Sequence, residues 1–176
     1  MTKQKIAVFW FRRDLRLIDN TALFYALQSK LKVLPIFIFD TEILKKLNSK
    51  NDARVSFIHA EILKINSELA KNGSSLKVIY DIPLGAFRKL TEEYEIEAVF
   101  TNRDYEPYAI QRDMEIEAFL KSKGIKLHTY KDQVIFEQDE VLKDDGTPYT
   151  VFTPYSKKWK LKLANKEIQE FPSQNF

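Results

Sequence analysis

Alternation between two kinds of segment is the feature that most constrains how this chain folds. Residues 6–11 and 33–39 are almost entirely apolar, as expected of strands that are buried on both faces of a sheet. Three shorter apolar runs, at residues 76–80, 98–101 and 125–130, predict further strands. Segments with a helical pattern separate these runs. The order predicts an α/β fold with a five-stranded parallel sheet and helices on both faces.

The helical segments carry their own start and stop signals. Between residues 52 and 72, apolar side chains recur at steps of three and four, and Gly73 follows as a stop. Pro83 and Pro107 each stand at the predicted first turn of a helix, where the missing N–H group costs nothing. Either Asp19 or Asn20 is expected to cap a first helix over residues 21–29.

Parallel sheets bind ligands beyond the carboxyl ends of their strands, so the residues that follow each strand matter most. Arg12 and Arg13 follow the first predicted strand, and Asp40 follows the second. The polar string NRDYEPY, residues 102–108, follows the fourth. No glycine-rich phosphate-binding motif occurs in the sequence, which argues against a standard dinucleotide or ATP-hydrolysing site.

Composition limits the remaining classes of function. The chain has 176 residues, of which 44% are hydrophobic and 30% charged, and this balance fits one globular domain. It has no cysteine, which excludes disulfides, thiolate nucleophiles and cysteine zinc sites. His59 and His128 are isolated in sequence, so we predict no metal site. No apolar run reaches the roughly 20 residues of a membrane helix, and we expect a cytoplasmic protein.

Four strings carry a specific resemblance. FWFRRDLRLIDNTAL, VLPIFIFD, AVFTNRDYEPYAIQRD and DGTPYTVFTPYSKKW occur in this order. Together they resemble the N-terminal α/β domain of the DNA photolyase and cryptochrome family, from residue 5 to about residue 163. In that family the α/β domain holds a light-harvesting antenna chromophore. A following helical domain holds FAD and meets damaged DNA.

The resemblance implies a domain plan. Residues 1–131 correspond to the antenna-binding domain, with the strand order 3-2-1-4-5 in a Rossmann-like three-layer sandwich. Residues 132–176 correspond to the start of the interdomain linker, and the FAD-binding helical domain is absent from this chain. We therefore expect FAD only in the full-length protein, DNA contact only through the helical domain, and a monomeric fragment that is inactive alone.

An antenna domain must hold a flat aromatic ring in a partly apolar slot, and it needs no nucleophile or general base. The resemblance gives six cofactor-binding residues and no catalytic residue: Trp10, Phe11, Arg12, Asp40, Arg54 and Asp104. Structural roles are the alternative to cofactor binding for these residues. Trp10 and Phe11 could belong to the core, Arg12 could form an ion pair with Asp14 or Asp40, and Arg54 could form an ion pair with an acid at the start of its helix.

Neighbouring residues of these motifs are assigned structural roles. We expect Arg13, Asp14 and Arg16 to form a charge network that ties the first loop to its surroundings. Glu106 is expected to cap the helix that begins at Pro107, and Phe37 is expected in the core. The lysine-rich segment 157–166 is interpreted as a solvated helix with Trp159 packed back onto the protein.

One departure from the family pattern concerns the ligand. Folate-binding photolyases carry an acidic residue where this chain has Ala109, which offers no hydrogen-bond acceptor to a pterin ring. Deazaflavin or FMN is therefore favoured over reduced folate as the antenna. The function implied is that of a deoxyribodipyrimidine photolyase, a lyase that repairs cyclobutane pyrimidine dimers with light. A cryptochrome blue-light photoreceptor and a stand-alone nucleotide-binding module are the alternatives.

Overall fold

A five-stranded, all-parallel sheet forms the centre of the protein in a computed structural model, which describes residues 5–49 and 51–176. Residues 1–4 of the predicted domain lie outside the described part. The strand order is β3-β2-β1-β4-β5, which confirms the order that the resemblance implies. The strands are β1 (Lys5–Phe11), β2 (Lys32–Asp40), β3 (Lys77–Asp81), β4 (Glu95–Asn102) and β5 (Lys126–Tyr130).

The helices lie between the strands, as the sequence pattern predicts. They are α1 (Thr21–Gln28), α2 (Thr41–Leu44), α3 (Ala53–Lys71), α4 (Pro83–Glu93), α5 (Pro107–Ser122) and α6 (Phe152–Ala164). Asn20 is the N-cap of α1, and its side chain accepts a hydrogen bond from the Leu23 amide. The short helix α2 was not predicted.

Two apolar layers cover the faces of the sheet. Helices α4 and α5 pack on the face that includes Val8, Trp10 and Ile36. Helices α1 and α3 pack on the other face, which includes Phe11 and Phe37. Because successive side chains of a strand point to opposite faces, Trp10 and Phe11 enter different layers although they are adjacent in sequence. The prediction that Phe37 belongs to the core is confirmed.

After β5 the chain packs back onto the α/β unit. Trp159 of α6 contacts Phe136 edge-on at 5.6 Å between ring centroids, which confirms the predicted packing of Trp159. Near the end of the described chain, the rings of Phe171 and Phe176 both contact Phe24 of α1. The domain boundary at residue 131 stays a prediction.

Candidate ligand-binding site

A cavity of about 580 Å³ opens beyond the carboxyl ends of β1 and β2, beside the residues that follow β4. This volume lies within the range of roughly 300–1,000 Å³ that is usual for small-molecule sites. All six residues predicted to bind a cofactor line this cavity: Trp10, Phe11, Arg12, Asp40, Arg54 and Asp104. The structure therefore brings together side chains from four separate segments of the sequence.

Two helices contribute lining residues that the sequence analysis missed. Helix α2 and the turn after it add Ile43, Leu44, Lys46 and Leu47. The first turns of α5 add Tyr108, Ala109 and Arg112. Tyr108 ends the NRDYEPY string and Arg112 follows it by one helical turn, and this position was the available signal for both residues. No such signal existed for α2, because four helical residues are too few to show a period.

Asp40 joins the two helices at the mouth of the cavity. One carboxylate oxygen accepts a hydrogen bond from the Glu42 amide at 2.9 Å and so caps α2. The other accepts a hydrogen bond from the Tyr108 hydroxyl at 2.6 Å. Burial, followed by this hydrogen bond to Asp40, raises the pKa of the Tyr108 phenol. Tyr108 is thereby held as a neutral donor against a buried carboxylate.

The partner of Arg12 differs from both predicted ones. Its guanidinium donates to both carboxylate oxygens of Asp113 in α5, at 2.7 and 2.6 Å, and also to the backbone carbonyl of Asn102. The expected ion pair with Asp14 or Asp40 is therefore wrong. Asp14 instead accepts from the Arg12 backbone amide, and its other oxygen is taken by the Asn102 side chain. Burial lowers the pKa of Arg12, and the charge of Asp113 opposes this shift.

Asp113 is shared by two arginines. The Arg112 guanidinium also donates to Asp113, at 3.0 and 3.1 Å, and is itself buried. Arginine keeps its proton at neutral pH, so this buried group of two cations and one anion carries a net charge of about +1. The wall formed by the start of α5 is therefore electropositive.

Aromatic rings alternate with cations along this wall. The guanidinium carbons of Arg12 and Arg112 lie 5.0 and 4.9 Å from the centroid of the Trp10 ring. Arg112 also lies 5.9 Å from the Tyr108 ring, and the Lys46 ammonium lies 5.1 Å from the same ring. All four distances fall within the roughly 6 Å range of cation–π attraction. We call these five residues the cation–aromatic wall.

Arg54 and Asp104 differ in exposure, because the Asp104 side chain is only 10% exposed. The Arg54 side chain is 74% exposed and forms an ion pair with Asp52, the N-cap of α3, at 2.7 Å. Hydrogen bonds from Arg54 lower the pKa of Asp52 to about 2. Asp104 accepts a 3.4 Å hydrogen bond from the Glu106 amide and lies 3.6 Å from Arg13.

The predicted capping role of Glu106 is wrong. Glu106 occupies the N-cap position of α5, but its side chain makes no capping hydrogen bond. Its carboxylate instead lies 3.3 Å from the Arg13 guanidinium. The short side chain of Asp104 reaches forward to the amide of residue 106, whereas the longer Glu106 side chain extends toward solvent and Arg13.

The first loop is tied down by a buried polar network, as predicted. The Asn102 side chain donates to Asp14 at 2.6 Å and to Asn20 at 2.9 Å. Arg16 binds both carboxylate oxygens of Asp132 at 2.8 Å. Arg13 is the exception within the predicted network, because its side chain is mostly exposed and it pairs only at the cavity rim.

The wall residues fit a flat ring with polar edges. Trp10 and Phe11 are almost fully buried. Among the described residues, Arg12 Nε is a buried donor with no hydrogen-bond partner. The described lining contains no serine, threonine, cysteine or histidine.

Other features of the described chain lie apart from this cavity. His128 stacks on Phe100 at 4.8 Å, and burial lowers its pKa. His59 is exposed on α3. No group of three or more metal-ligating side chains occurs within residues 5–49 and 51–176. None of the helices in those ranges is long and apolar enough to cross a membrane.

Fold and cavity together define a parallel α/β domain with a cavity of small-molecule size at the carboxyl ends of its strands. The family model for DNA photolyase matches residues 7–174. The chain therefore belongs to the DNA photolyase family.

Individual relatives agree with this assignment. A deoxyribodipyrimidine photo-lyase of Alkalihalophilus pseudofirmus is 37% identical over 155 residues, which cover 85% of this chain and 32% of the relative. A blue-light photoreceptor of Arabidopsis thaliana is 27% identical over 97% of this chain and 40% of its own length. The chain thus spans about a third of the length of the curated photo-lyases that it matches.

Solved structures give the same fold. The chain matches a bacterial class III photolyase from Agrobacterium tumefaciens with a TM-score of 0.80 and 25% identity, covering 98% of this chain and 35% of that one. It matches an archaeal photolyase from Sulfolobus tokodaii, solved with two FAD molecules, with a TM-score of 0.72 and 27% identity, covering 93% and 35% of the two chains.

Proposed function

We propose that this chain is the antenna domain of a deoxyribodipyrimidine photolyase and that the cavity holds the antenna chromophore. The observation that carries the proposal is the cavity itself, which unites the predicted cofactor-binding residues in a chain of the DNA photolyase family. A chromophore bound there would supply light absorption and pass its excitation to FAD. We further propose that FAD and damaged DNA bind to parts of the protein outside this chain.

The chain's own residues would orient a flat ring and fix its edges. The apolar side chains Ile43, Leu44 and Leu47 would exclude water from one side of the cavity. Arg12 would donate its free Nε–H group to an acceptor on the ring edge. Among the described residues, Lys46 contacts the Tyr108 ring and has no carboxylate within ion-pair distance, although its charge acts on the nearby Glu42; its ammonium would bind an anionic tail.

These features favour an FMN or deazaflavin chromophore over reduced folate. Ala109 is buried at the cavity wall, where it can contact a ring but cannot accept a hydrogen bond from it. The electropositive wall favours a ligand with an acceptor-rich edge and an anionic tail. The S. tokodaii structure, whose description invokes a novel light-harvesting cofactor with two FAD molecules, supports a flavin-type antenna in this family.

A photoreceptor is the second candidate function. The similarity to the A. thaliana blue-light photoreceptor extends over almost the whole chain, so the same antenna domain is compatible with light signalling. The chromophore cavity would serve either function. Repair activity of the complete protein, measured on DNA that contains cyclobutane dimers, separates the two.

Equilibrium titration tests the proposed function. Purified protein is titrated with FMN, riboflavin, a deazaflavin and reduced folate, and binding is followed by fluorescence anisotropy. We expect FMN or deazaflavin to bind with a Kd in the micromolar range, on the order of −8 kcal/mol. Lys46→Ala should weaken FMN about tenfold and leave riboflavin unchanged, because only FMN carries the phosphate. Asp104→Ala should weaken the binding of both flavins slightly. Arg54→Ala should weaken their binding less, because the Arg54 side chain is exposed.

Lys64→Ala provides the matched control. Lys64 lies on the exposed side of α3 and pairs with Glu61, away from the cavity. It should leave every Kd unchanged. Failure of all four ligands to bind would contradict the chromophore proposal, as would binding that none of the cavity substitutions weakens. Tightest binding by folate would contradict the interpretation of Ala109.

A further inference from the structure

The cation–aromatic wall contains a tryptophan that a photoexcited ligand in the cavity could oxidise. An indole ring is a good one-electron donor, and a photoexcited flavin-type ring is a strong one-electron acceptor. Trp10 lines the cavity, so it lies within electron-transfer distance of any ring held there. In that unwanted reaction Trp10 would lose one electron to the excited ring and become an indole radical cation. The excitation would then be lost before it could be passed on.

The surroundings of Trp10 oppose this oxidation. Two guanidinium groups lie about 5 Å from its ring, at 5.0 Å for Arg12 and 4.9 Å for Arg112. Both attract the neutral indole through its electron-rich face. Both would repel a positive charge placed on that ring, and the repulsion is strong because the Arg12 and Arg112 side chains are only 6% and 9% exposed. The two arginines share the carboxylate of Asp113, and Asp14 adds a smaller opposing charge near Arg12.

Arg112 occupies the central position in this arrangement. It lies over Trp10 and also 5.9 Å from the Tyr108 ring, which is the other oxidisable side chain of the wall. Tyr108 needs separate attention because its hydroxyl donates to Asp40, and that carboxylate could take the proton if Tyr108 were oxidised. Lys46, at 5.1 Å from the same ring, adds a second positive charge there.

We propose that Arg112, together with Arg12, protects Trp10 from oxidation by the photoexcited chromophore, so that the cavity preserves excitation energy. The proposal rests on the proposed function, because it requires a flavin-type ring in the cavity. Arg112 acts here through its charge and does not take part in a bond-making step. A purely structural role would require only the size and hydrogen bonds of the side chain. Charge and size are therefore the properties to separate.

The first experiment needs no chromophore. All variants carry Trp159→Phe, which leaves Trp10 as the sole tryptophan, and Tyr108→Phe, which removes the second donor. A ruthenium tris-bipyridine oxidant generated by a laser flash in solution accepts the electron, and transient absorption follows the Trp10 radical. In Arg112→Gln, Trp10 should be oxidised roughly tenfold faster than in the parent, because one nearby positive charge is lost. Arg112→Lys keeps the charge and should stay within about twofold of the parent.

Asp113→Asn tests whether the rate of Trp10 oxidation changes in the direction that the charges predict. It removes the negative charge that partly neutralises the two arginines, so it should slow oxidation of Trp10 below the parent rate. A packing disturbance would change the rate in the same direction for Arg112→Gln and Asp113→Asn. Circular dichroism and urea unfolding check that each variant is folded. Equal rates for Arg112→Gln and Arg112→Lys would overturn the proposal.

The second experiment uses bound FMN. Its fluorescence lifetime is measured at saturation, with the bound fraction determined separately by anisotropy. We expect a lifetime roughly tenfold shorter in Arg112→Gln than in Arg112→Lys, and recovery of the long lifetime when Trp10→Phe is added to Arg112→Gln. Equal lifetimes with FMN bound would overturn the protective role. Failure of FMN to bind would contradict FMN as the chromophore, while the chromophore-free rates would still decide whether Arg112 controls Trp10 oxidation.

Discussion

Asn102, the last residue of β4, holds the first loop and the first helix against the sheet. Its side-chain amide donates to Asp14 and Asn20, and its carbonyl oxygen accepts from the Ala22 amide at 3.0 Å. Asn102 is buried, so none of these groups finds water as a substitute partner. The loop that carries Arg12 into the cavity is therefore positioned by one polar side chain of a neighbouring strand.

We predict that Asn102→Ala lowers the free energy of unfolding by about 3 kcal/mol, because it removes three buried hydrogen bonds and leaves the Ala22 amide without its partner. Asn102→Asp keeps the size but loses the donors and places a second carboxylate beside Asp14. It should cost at least as much at pH 7, because two like charges would then be buried side by side. Urea unfolding at pH 7 measures the cost of both variants.

Asn165→Ala is the control for this prediction. Asn165 follows α6 at the surface, where its amide donates to the Leu161 carbonyl. Its replacement should change the free energy of unfolding by less than about 0.5 kcal/mol. Similar losses in Asn102→Ala and Asn165→Ala would show that the buried network does not hold the loop.

The choice of ion-pair partners was beyond prediction from the sequence. Arg12 follows β1 with Asp14 two residues away, and proximity in sequence made Asp14 a natural partner. The structure pairs Arg12 with Asp113, which is 101 residues distant. Only the packing of α5 against the sheet brings these two side chains together. The cavity-lining residues at strand ends were predictable, because the ends of parallel strands converge whatever their partners are.

Secondary structure followed local signals wherever these were strong. The apolar repeat along α3 predicted that helix correctly, and the prolines at the starts of α4 and α5 predicted those two. Helix α2 was missed because its formation depends on Asp40 as a cap and on contacts with α5 through Tyr108. A four-residue helix of this kind is determined by its tertiary contacts rather than by its own sequence.

The segment that ends the described chain stabilises α1. Ser173 is buried, donates to the Leu17 carbonyl at 2.7 Å and accepts from the Asn20 amide at 3.1 Å. Phe171 and Phe176 lie 5.8 and 5.6 Å from Phe24 between ring centroids. The segment thus covers both the start of α1 and one aromatic side chain on that helix.

We predict that deleting residues 171–176 lowers the free energy of unfolding by about 2–4 kcal/mol, from lost aromatic burial and an unsatisfied Asn20 amide. Phe24→Ala should cost less in the shortened chain than in the full chain, because its aromatic partners are already gone. Chemical unfolding of the four proteins in this cycle measures the coupling. Phe57→Ala, at an exposed position of α3, should show no coupling to the deletion. If Phe24→Ala costs the same free energy in the shortened and the full chain, residues 171–176 do not stabilise α1 by packing on Phe24.

At the scale of the whole molecule, the strand order places the cavity at one end of the sheet. The order β3-β2-β1-β4-β5 places β1 at the centre, with β2 and β4 on either side, and the cavity opens beside the ends of these three strands. This order was predictable only through the resemblance, since apolar periodicity gives strands but not their neighbours. The sheet needs no ligand for its core, so we expect the chain to fold alone.

The last prediction concerns activity of the chain as given. The photo-lyases that it matches are about three times longer, and we propose that FAD and damaged DNA bind outside this chain. Illumination of this chain with FAD, a reductant and DNA containing cyclobutane dimers should therefore leave the dimers intact. The complete A. pseudofirmus enzyme serves as the positive control, and FMN binding shows that the tested sample is folded. Light-dependent loss of dimers would mean that this domain binds FAD productively by itself, and our division of functions between it and the rest of the protein would be wrong.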